Sequence, residues 1–199
     1  MSKIKICGIR RMEDIEAVNL YQPDFIGFVF AKSRRQIDFF KAEELKAALS
    51  QDIKSVGVFV NQDNEYIERL AKENIIDIIQ LHGSEDENTI VYLKEKTGKP
   101  IIKAVSVTTA DDIMKWQDSR ADYLLLDNGA GGTGEKFDWS RINNAFIKHP
   151  YFIAGGINEH NIKDALQYNP YGIDVSGGVE TDGYKDAHKI KNIIEKVRR

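Results

Sequence analysis

The 199-residue sequence contains a single cysteine, Cys7, so no intramolecular disulfide can form. Nothing in it calls for an oxidising compartment. No apolar run approaches the roughly 20 residues that span a bilayer. The opening Met1-Ser2-Lys3-Ile4-Lys5-Ile6 is too short and too charged to read as a signal peptide. Together these absences predict a cytoplasmic protein. A surplus of positive charge is also missing: 28 Lys and Arg face 31 Asp and Glu, for a net charge of −3. That disfavours nucleic acid as the main partner, because neutralising phosphates needs a concentrated basic surface. It leaves room for a local anion pocket. His149, His160 and His188 lie in helix-like stretches without ligand spacing. No clustered His, Cys, Asp and Glu are present, and no metal or cofactor is expected. Low-complexity tracts and Pro/Gly/Ser-rich linkers are absent too. The expectation is one domain over residues 1–199, long enough to bury a substantial core.

What is present is a regular alternation. Short apolar runs occur at 4–7, 25–30, 56–60, 75–81, 101–105, 123–126, 151–154 and 172–175. Several are continuously apolar and rich in Ile, Val and Phe, as parallel strands covered on both faces are. Charged stretches with helical periodicity separate them. In the last, Ala187, Ile190, Ile193, Ile194 and Val197 form one apolar stripe. In another, Ile162, Ala165 and Leu166 follow Asn158, which reads as the N-cap. Between strands five and six the helical signal covers only 111–117, so the fifth helix is expected to be short. Eight βα units fit a closed barrel or a doubly wound open sheet. The count of eight predicts an α/β fold of the compact parallel (β/α)₈ barrel type, the TIM barrel. Such a barrel carries its site at the C-terminal ends of the strands.

The residues following the apolar runs are chemically rich. Cys7 ends the first run. It reads either as a small buried hydrophobe or as a base, which requires help in ionising. Asp127 ends the sixth and reads as a turn residue before Asn128-Gly129 or as a general acid. The glycine-rich stretch from Asn128 to Asp138 reads as a lid or as a long surface loop. It is not a Walker loop, since Glu135 follows Gly134. Gly155-Gly156 follows the seventh run and Ser176-Gly177-Gly178 the eighth. In barrels of this kind those two loops commonly bind phosphate through backbone N–H groups. Arg34 and Arg35 follow the second run and suit a carboxylate, or form a solvated basic loop. His82, after Gln80 in the fourth run, reads as pocket lining or as a structural residue.

Taken together and in order, Lys5-Ile6-Cys7-Gly8-Ile9, Leu125-Leu126-Asp127, Gly131-Gly132-Thr133-Gly134 with Phe137-Asp138-Trp139, Ala154-Gly155-Gly156 and Asp174-Val175-Ser176-Gly177-Gly178-Val179-Glu180 resemble the phosphoribosylanthranilate isomerases along essentially the whole chain. The strand ends Gly27-Phe28-Val29-Phe30, Gly57-Val58-Phe59-Val60 and Gln80-Leu81-His82-Gly83 resemble the family as well. The resemblance implies an enzyme of tryptophan biosynthesis that converts N-(5′-phosphoribosyl)anthranilate to its 1-deoxyribulose isomer by an Amadori rearrangement. It implies Cys7 as base, Asp127 as acid and Arg35 as the carboxylate clamp, with Arg34 adjacent. Gly155, Gly156, Ser176, Gly177 and Gly178 become the phosphate site, and Gln80, His82 and Asp174 the pocket wall. The partner is then a small phosphorylated substrate, with no nucleic acid or membrane, and the chain a monomer or small homo-oligomer. These roles ask for Asp127 to be shifted up in pKa and Cys7 down. Three other readings compete. A histidine-pathway isomerase barrel carries Asp where Cys7 stands. An indole-glycerol-phosphate synthase needs a Lys/Glu pair, for which Lys5 is a poor substitute. A non-catalytic sugar-phosphate binder needs neither Cys7 nor Asp127.

Overall fold

The computed structural model describes residues 1–128, 138–143 and 145–198. The glycine-rich stretch read as a lid or loop lies, from 129 to 137, outside the described residues.

Eight strands alternate with helices. They are β1 (Lys3–Cys7), β2 (Phe25–Val29), β3 (Lys54–Phe59), β4 (Ile78–Leu81), β5 (Ile101–Ser106), β6 (Tyr123–Asp127), β7 (Tyr151–Ile153) and β8 (Gly172–Val175). The helices are α1 (Met12–Tyr21), α2 (Phe39–Ala48), α3 (Asn64–Lys72), α4 (Glu87–Thr97), α5 (Ala110–Met114), α6 (Ser140–Asn143), α7 (Ile162–Leu166) and α8 (Ala187–Arg198). Each strand pairs in parallel with the next, and β8 returns to β1 with Ile6 opposite Val175, closing the barrel. The open-sheet alternative is thereby excluded. No helix among the described residues is long and apolar enough to cross a membrane.

Helix ends follow their local chemistry. Asp38 caps α2 by accepting from the Lys41 N–H, and Asp86 caps α4 by accepting from the Thr89 N–H. Gly98 ends α4 at φ 65°, a left-handed conformation that suits glycine. Helix α5 is short, as expected. Two boundaries differ from the sequence reading. Ile75 and Ile76 are buried but precede β4; the Ile75 N–H instead donates to Leu70 O at the end of α3. An apolar run alone does not separate such a helix cover from the strand that comes after it. Helix α7 starts after Asn161, not Asn158. The Asn158 side chain accepts from the His160 N–H in a preceding turn, which delays the helix.

Alternation along the strands sorts side chains into two cores. Ile4 and Ile6 of β1 face outward and join the large cluster shared with the helices. The inward residues fill the barrel. Its floor is aromatic: Phe152 meets Phe25, Tyr123 and Tyr171 edge-on, with ring centroids 5.4–5.8 Å apart. Gly172 makes room for this plug, because a Cβ there would lie 2.5 Å from the Phe152 ring. Toward the other end of the strands, Lys5, Cys7, Gln80, Asp127 and Asp174 are all buried.

Candidate active site

Cys7 is the last residue of β1 and is packed against Val29 and Val58. Gly27 lies opposite it in register on β2, and a Cβ there would come within 2.7 Å of Sγ. The thiol thus occupies space that this glycine leaves open. Two residues earlier on the same face, Lys5 is fully buried. Its Nζ lies 3.0 Å from Asp174 Oδ1, across the β1–β8 register. The Lys5 charge also acts on the Cys7 thiol, favouring its ionised form. Burial pushes the Cys7 thiol up, opposed by the charges of Lys5 and Lys185 and reinforced by Asp174. The expected downward shift is therefore not met. Desolvation penalises the thiolate more than the surrounding cations favour it.

Asp127 ends β6, three strands from Cys7 around the closed barrel. One carboxylate oxygen accepts from the Asn128 N–H at 2.7 Å. The other faces His82 Nε2 at 3.3 Å. The Gln80 amide nitrogen lies 2.9 Å from His82 Nδ1. With that amide donating, the imidazole proton sits on Nε2, toward Asp127. Gln80 is 1% exposed and meets His82 through its side-chain amide.

Arg34 and Arg35 converge on one carboxylate, that of Glu180. Arg35 donates from Nε at 2.7 Å and from Nη2 at 2.9 Å, and Arg34 from Nη2 at 2.7 Å. Lys185 Nζ adds a third cation at 2.8 Å. Arg35 and Lys185 hold the Glu180 carboxyl down at about 2, against the desolvation that raises it. The two arginines differ in exposure: the Arg34 side chain is 59% exposed and that of Arg35 11%. Arg35 lies across the end of β1, where a Cβ on Gly8 (φ +86°) would meet its Cδ at 2.4 Å. Its Nη2 is also near Gly177. Arg35 is thus the arginine directed into the site.

The two glycine loops meet. After β7, Gly155 and Gly156 have φ of 77° and 63°, the left-handed region open to glycine. After β8, Gly177–Val179 form a short 3₁₀ turn. A Cβ on Gly178 would lie 2.0 Å from Ile157 O, so the loops touch backbone to backbone. Ser176 Oγ donates to Cys7 O at 3.0 Å, tying this corner to β1.

Three residues of this constellation were not assigned from sequence: Lys5, Glu180 and Lys185. Alternation in β1 already places Lys5 on the face of Cys7. Glu180 and Lys185 belong to a hairpin, β9 (Glu180–Thr181) and β10 (Tyr184–Lys185), turned by Asp182 and Gly183, both at positive φ. An Asp-Gly pair between short strands is the usual signature of such a turn. Among the described residues, no group of three or more His, Cys, Asp and Glu is placed to hold a metal ion.

Residues 4–196 match the family model described as N-(5'phosphoribosyl)anthranilate (PRA) isomerase. A relative from Clostridium acetobutylicum named N-(5'-phosphoribosyl)anthranilate isomerase is 48% identical, covering 100% of this chain and 99% of its own. The phosphoribosyl anthranilate isomerase of Thermus thermophilus superposes with a TM-score of 0.88 at 32% identity, covering 98% of both chains. A further isomerase structure, in complex with reduced 1-(o-carboxyphenylamino)-1-deoxyribulose 5-phosphate, superposes with a TM-score of 0.83 at 30% identity, covering 100% of this chain and 99% of that one. By the family match and the full-length identity, the chain belongs to the N-(5′-phosphoribosyl)anthranilate isomerase family.

Proposed function

We propose that the chain isomerises N-(5′-phosphoribosyl)anthranilate to 1-(2-carboxyphenylamino)-1-deoxyribulose 5-phosphate, with Asp127 as general acid and Cys7 as general base. The observation that carries this reading is the meeting of a buried thiol, a strand-end carboxylate and two touching glycine loops at one end of a barrel whose family performs this reaction.

The substrate has a phosphate at one end and a benzoate at the other. The corner formed by Gly155, Gly156, Ser176, Gly177 and Gly178 suits the phosphate, since glycine lets an anion approach backbone N–H groups closely. Arg35 suits the benzoate as the inward-facing arginine. Its Nε and Nη2 are already engaged by Glu180, so the substrate carboxylate shares or displaces that contact. Held at both ends, the ribose lies between Asp127 and Cys7, and this orientation itself contributes to the rate. Asp127 gives its proton to the ring oxygen as the C1′–O bond breaks. The anthranilate nitrogen lone pair forms the C1′=N bond of a Schiff base. The Cys7 thiolate then takes the C2′ proton, and the C2′–H electron pair forms the C1′=C2′ bond of an enolamine while the C=N pair returns to nitrogen. Protonation at C1′ and loss of the enol proton give the C2′ ketone. His82, held by Gln80, orients the acid. Asp174 shapes the wall through Lys5. The lone cysteine supports a cytoplasmic enzyme, active as a monomer or small homo-oligomer.

The test is loss of anthranilate fluorescence when purified protein meets freshly generated phosphoribosylanthranilate without metal or nucleotide. Loss well above the spontaneous rate is expected. A folded protein that binds a product analogue but leaves fluorescence at the spontaneous rate contradicts the proposal.

A further inference from the structure

Lys5 is an unusual occupant of a barrel interior. A buried lysine is costly unless paired, and a well-packed apolar pair in place of Lys5 and Asp174 is commonly as stable or more so. Packing therefore gives no reason for a charge there. Its surroundings give one. Lys5 is fully buried on the face of β1 that carries Cys7 two residues on, and its ammonium interacts with Asp174 and with the thiol. Gly27, Val29 and Val58, which also lie against Cys7, offer no charge. The charged groups acting on Cys7 are Lys5 of β1, Asp174 of β8, Lys185 of the hairpin, and Arg35 of the loop after β2. Lys185 and Arg35 are both committed to Glu180. Among the described residues, Lys5 is the cation that is divided between a single carboxylate and the thiol.

We propose that Lys5 is a positioning residue for Cys7: its buried ammonium, anchored by Asp174, is the counter-charge against which the thiolate forms. This rests on the reading of Cys7 as the base. With the thiol neutral, Lys5 and Asp174 balance each other. When Cys7 loses its proton, Lys5 faces two anions. Asp174 therefore has two opposed effects, fixing the ammonium in place and drawing off part of its charge.

The experiment titrates the single cysteine of the ligand-free protein by its thiolate absorbance near 240 nm, subtracting Cys7→Ser at each pH to cancel tyrosine. The same preparations give the pH dependence of kcat/KM. Lys5→Met is expected to move the thiolate midpoint up by about 1–3 pH units, the range for losing an opposite charge at close quarters. The basic pH needed for turnover moves with it, so activity near pH 7 falls roughly tenfold or more and recovers as pH rises. Asp174→Asn, which leaves Lys5 to the thiol, is expected to move the midpoint down. An unmoved midpoint in Lys5→Met, with activity lowered equally at every pH, overturns the proposal and makes Lys5 a packing residue. If Lys5→Met does not fold, Lys5→Gln takes its place with the same expected upward shift, and an absent or downward shift is the contrary result. The absorbance needs no substrate. A midpoint that moves while the kcat/KM profile stays put upholds the Lys5 role and removes Cys7 as base.

Discussion

The two ends of the one closed barrel interior are built from opposite materials. At the floor, Phe25, Tyr123, Phe152 and Tyr171 stack edge-on with no charge among them. Toward the C-terminal ends, Lys5, Cys7, Gln80, Asp127 and Asp174 are buried within a few residues of one another along their strands. Burial stabilises the first group and is costly for the second, where each polar group needs a partner. The floor therefore holds the barrel closed, and the upper layer uses that rigidity to keep its buried polar groups paired. The two ends should then separate in mutants: floor substitutions lower stability, and upper-layer substitutions lower turnover.

The largest expected effect is at the upper layer. Asp127→Asn removes the acid and should lower kcat by about 10²–10⁴-fold, the usual weight of a positioned proton donor, with the thermal midpoint close to the parent's. A large fall in the midpoint would blur the division. The floor gives the converse. Phe152→Ala leaves a cavity among three aromatic rings and should cost about 3–5 kcal/mol of unfolding free energy, read by urea denaturation. Protein that remains folded should turn over nearly normally at low temperature. A loss of kcat as large as that of Asp127→Asn would mean that the floor shapes the site directly.

Gly27→Ala sharpens the boundary between the two. The added methyl meets Cys7 Sγ, and overpacking of this kind costs about 1–3 kcal/mol. Because the yielding atom is the thiol, kcat is expected to fall while KM holds. Arg35→Ala should act the other way, raising KM by roughly tenfold or more, as loss of a charge-assisted hydrogen bond does, with kcat less affected. An unchanged KM would move the clamp to Arg34. The smallest effect concerns Glu180. Its carboxyl is held at about 2 against an ordinary 4.5, so its contribution to stability is complete above pH 4.5 and is lost as pH falls toward 2. Acid unfolding followed by circular dichroism should show a shallower loss across that window in Glu180→Gln. Equal slopes would mean that Arg34, Arg35 and Lys185 gain nothing from the carboxylate in the folded state.

The eight strands were legible because burial on both faces leaves continuous apolar runs, a local property of the chain. Cys7 and Asp127 were legible because each ends such a run. The placement of Gly155–Gly156 and Gly177–Gly178 just after the seventh and eighth strands was legible because the apolar runs mark where those strands end. The Lys5–Asp174 pair was not, since its partners are 169 residues apart and only barrel closure brings them together. The same holds for Arg35 and Glu180. The choice between Arg34 and Arg35 rests on exposure, which adjacency in sequence does not encode. The upward shift of Cys7 likewise depends on how completely the barrel desolvates it. Strand alternation predicts which face a residue takes, but not the depth of its burial.

In the proposed mechanism Cys7 removes the proton while other groups bind. The most direct measurement pairs turnover with binding in Cys7→Ser: the rate of phosphoribosylanthranilate fluorescence loss, and calorimetric affinity for reduced 1-(o-carboxyphenylamino)-1-deoxyribulose 5-phosphate. Turnover is expected to fall by about 10²–10⁴-fold, as for a lost general base, while affinity stays within a few-fold of the parent's. Near-normal turnover in a folded Cys7→Ser protein would contradict that mechanism.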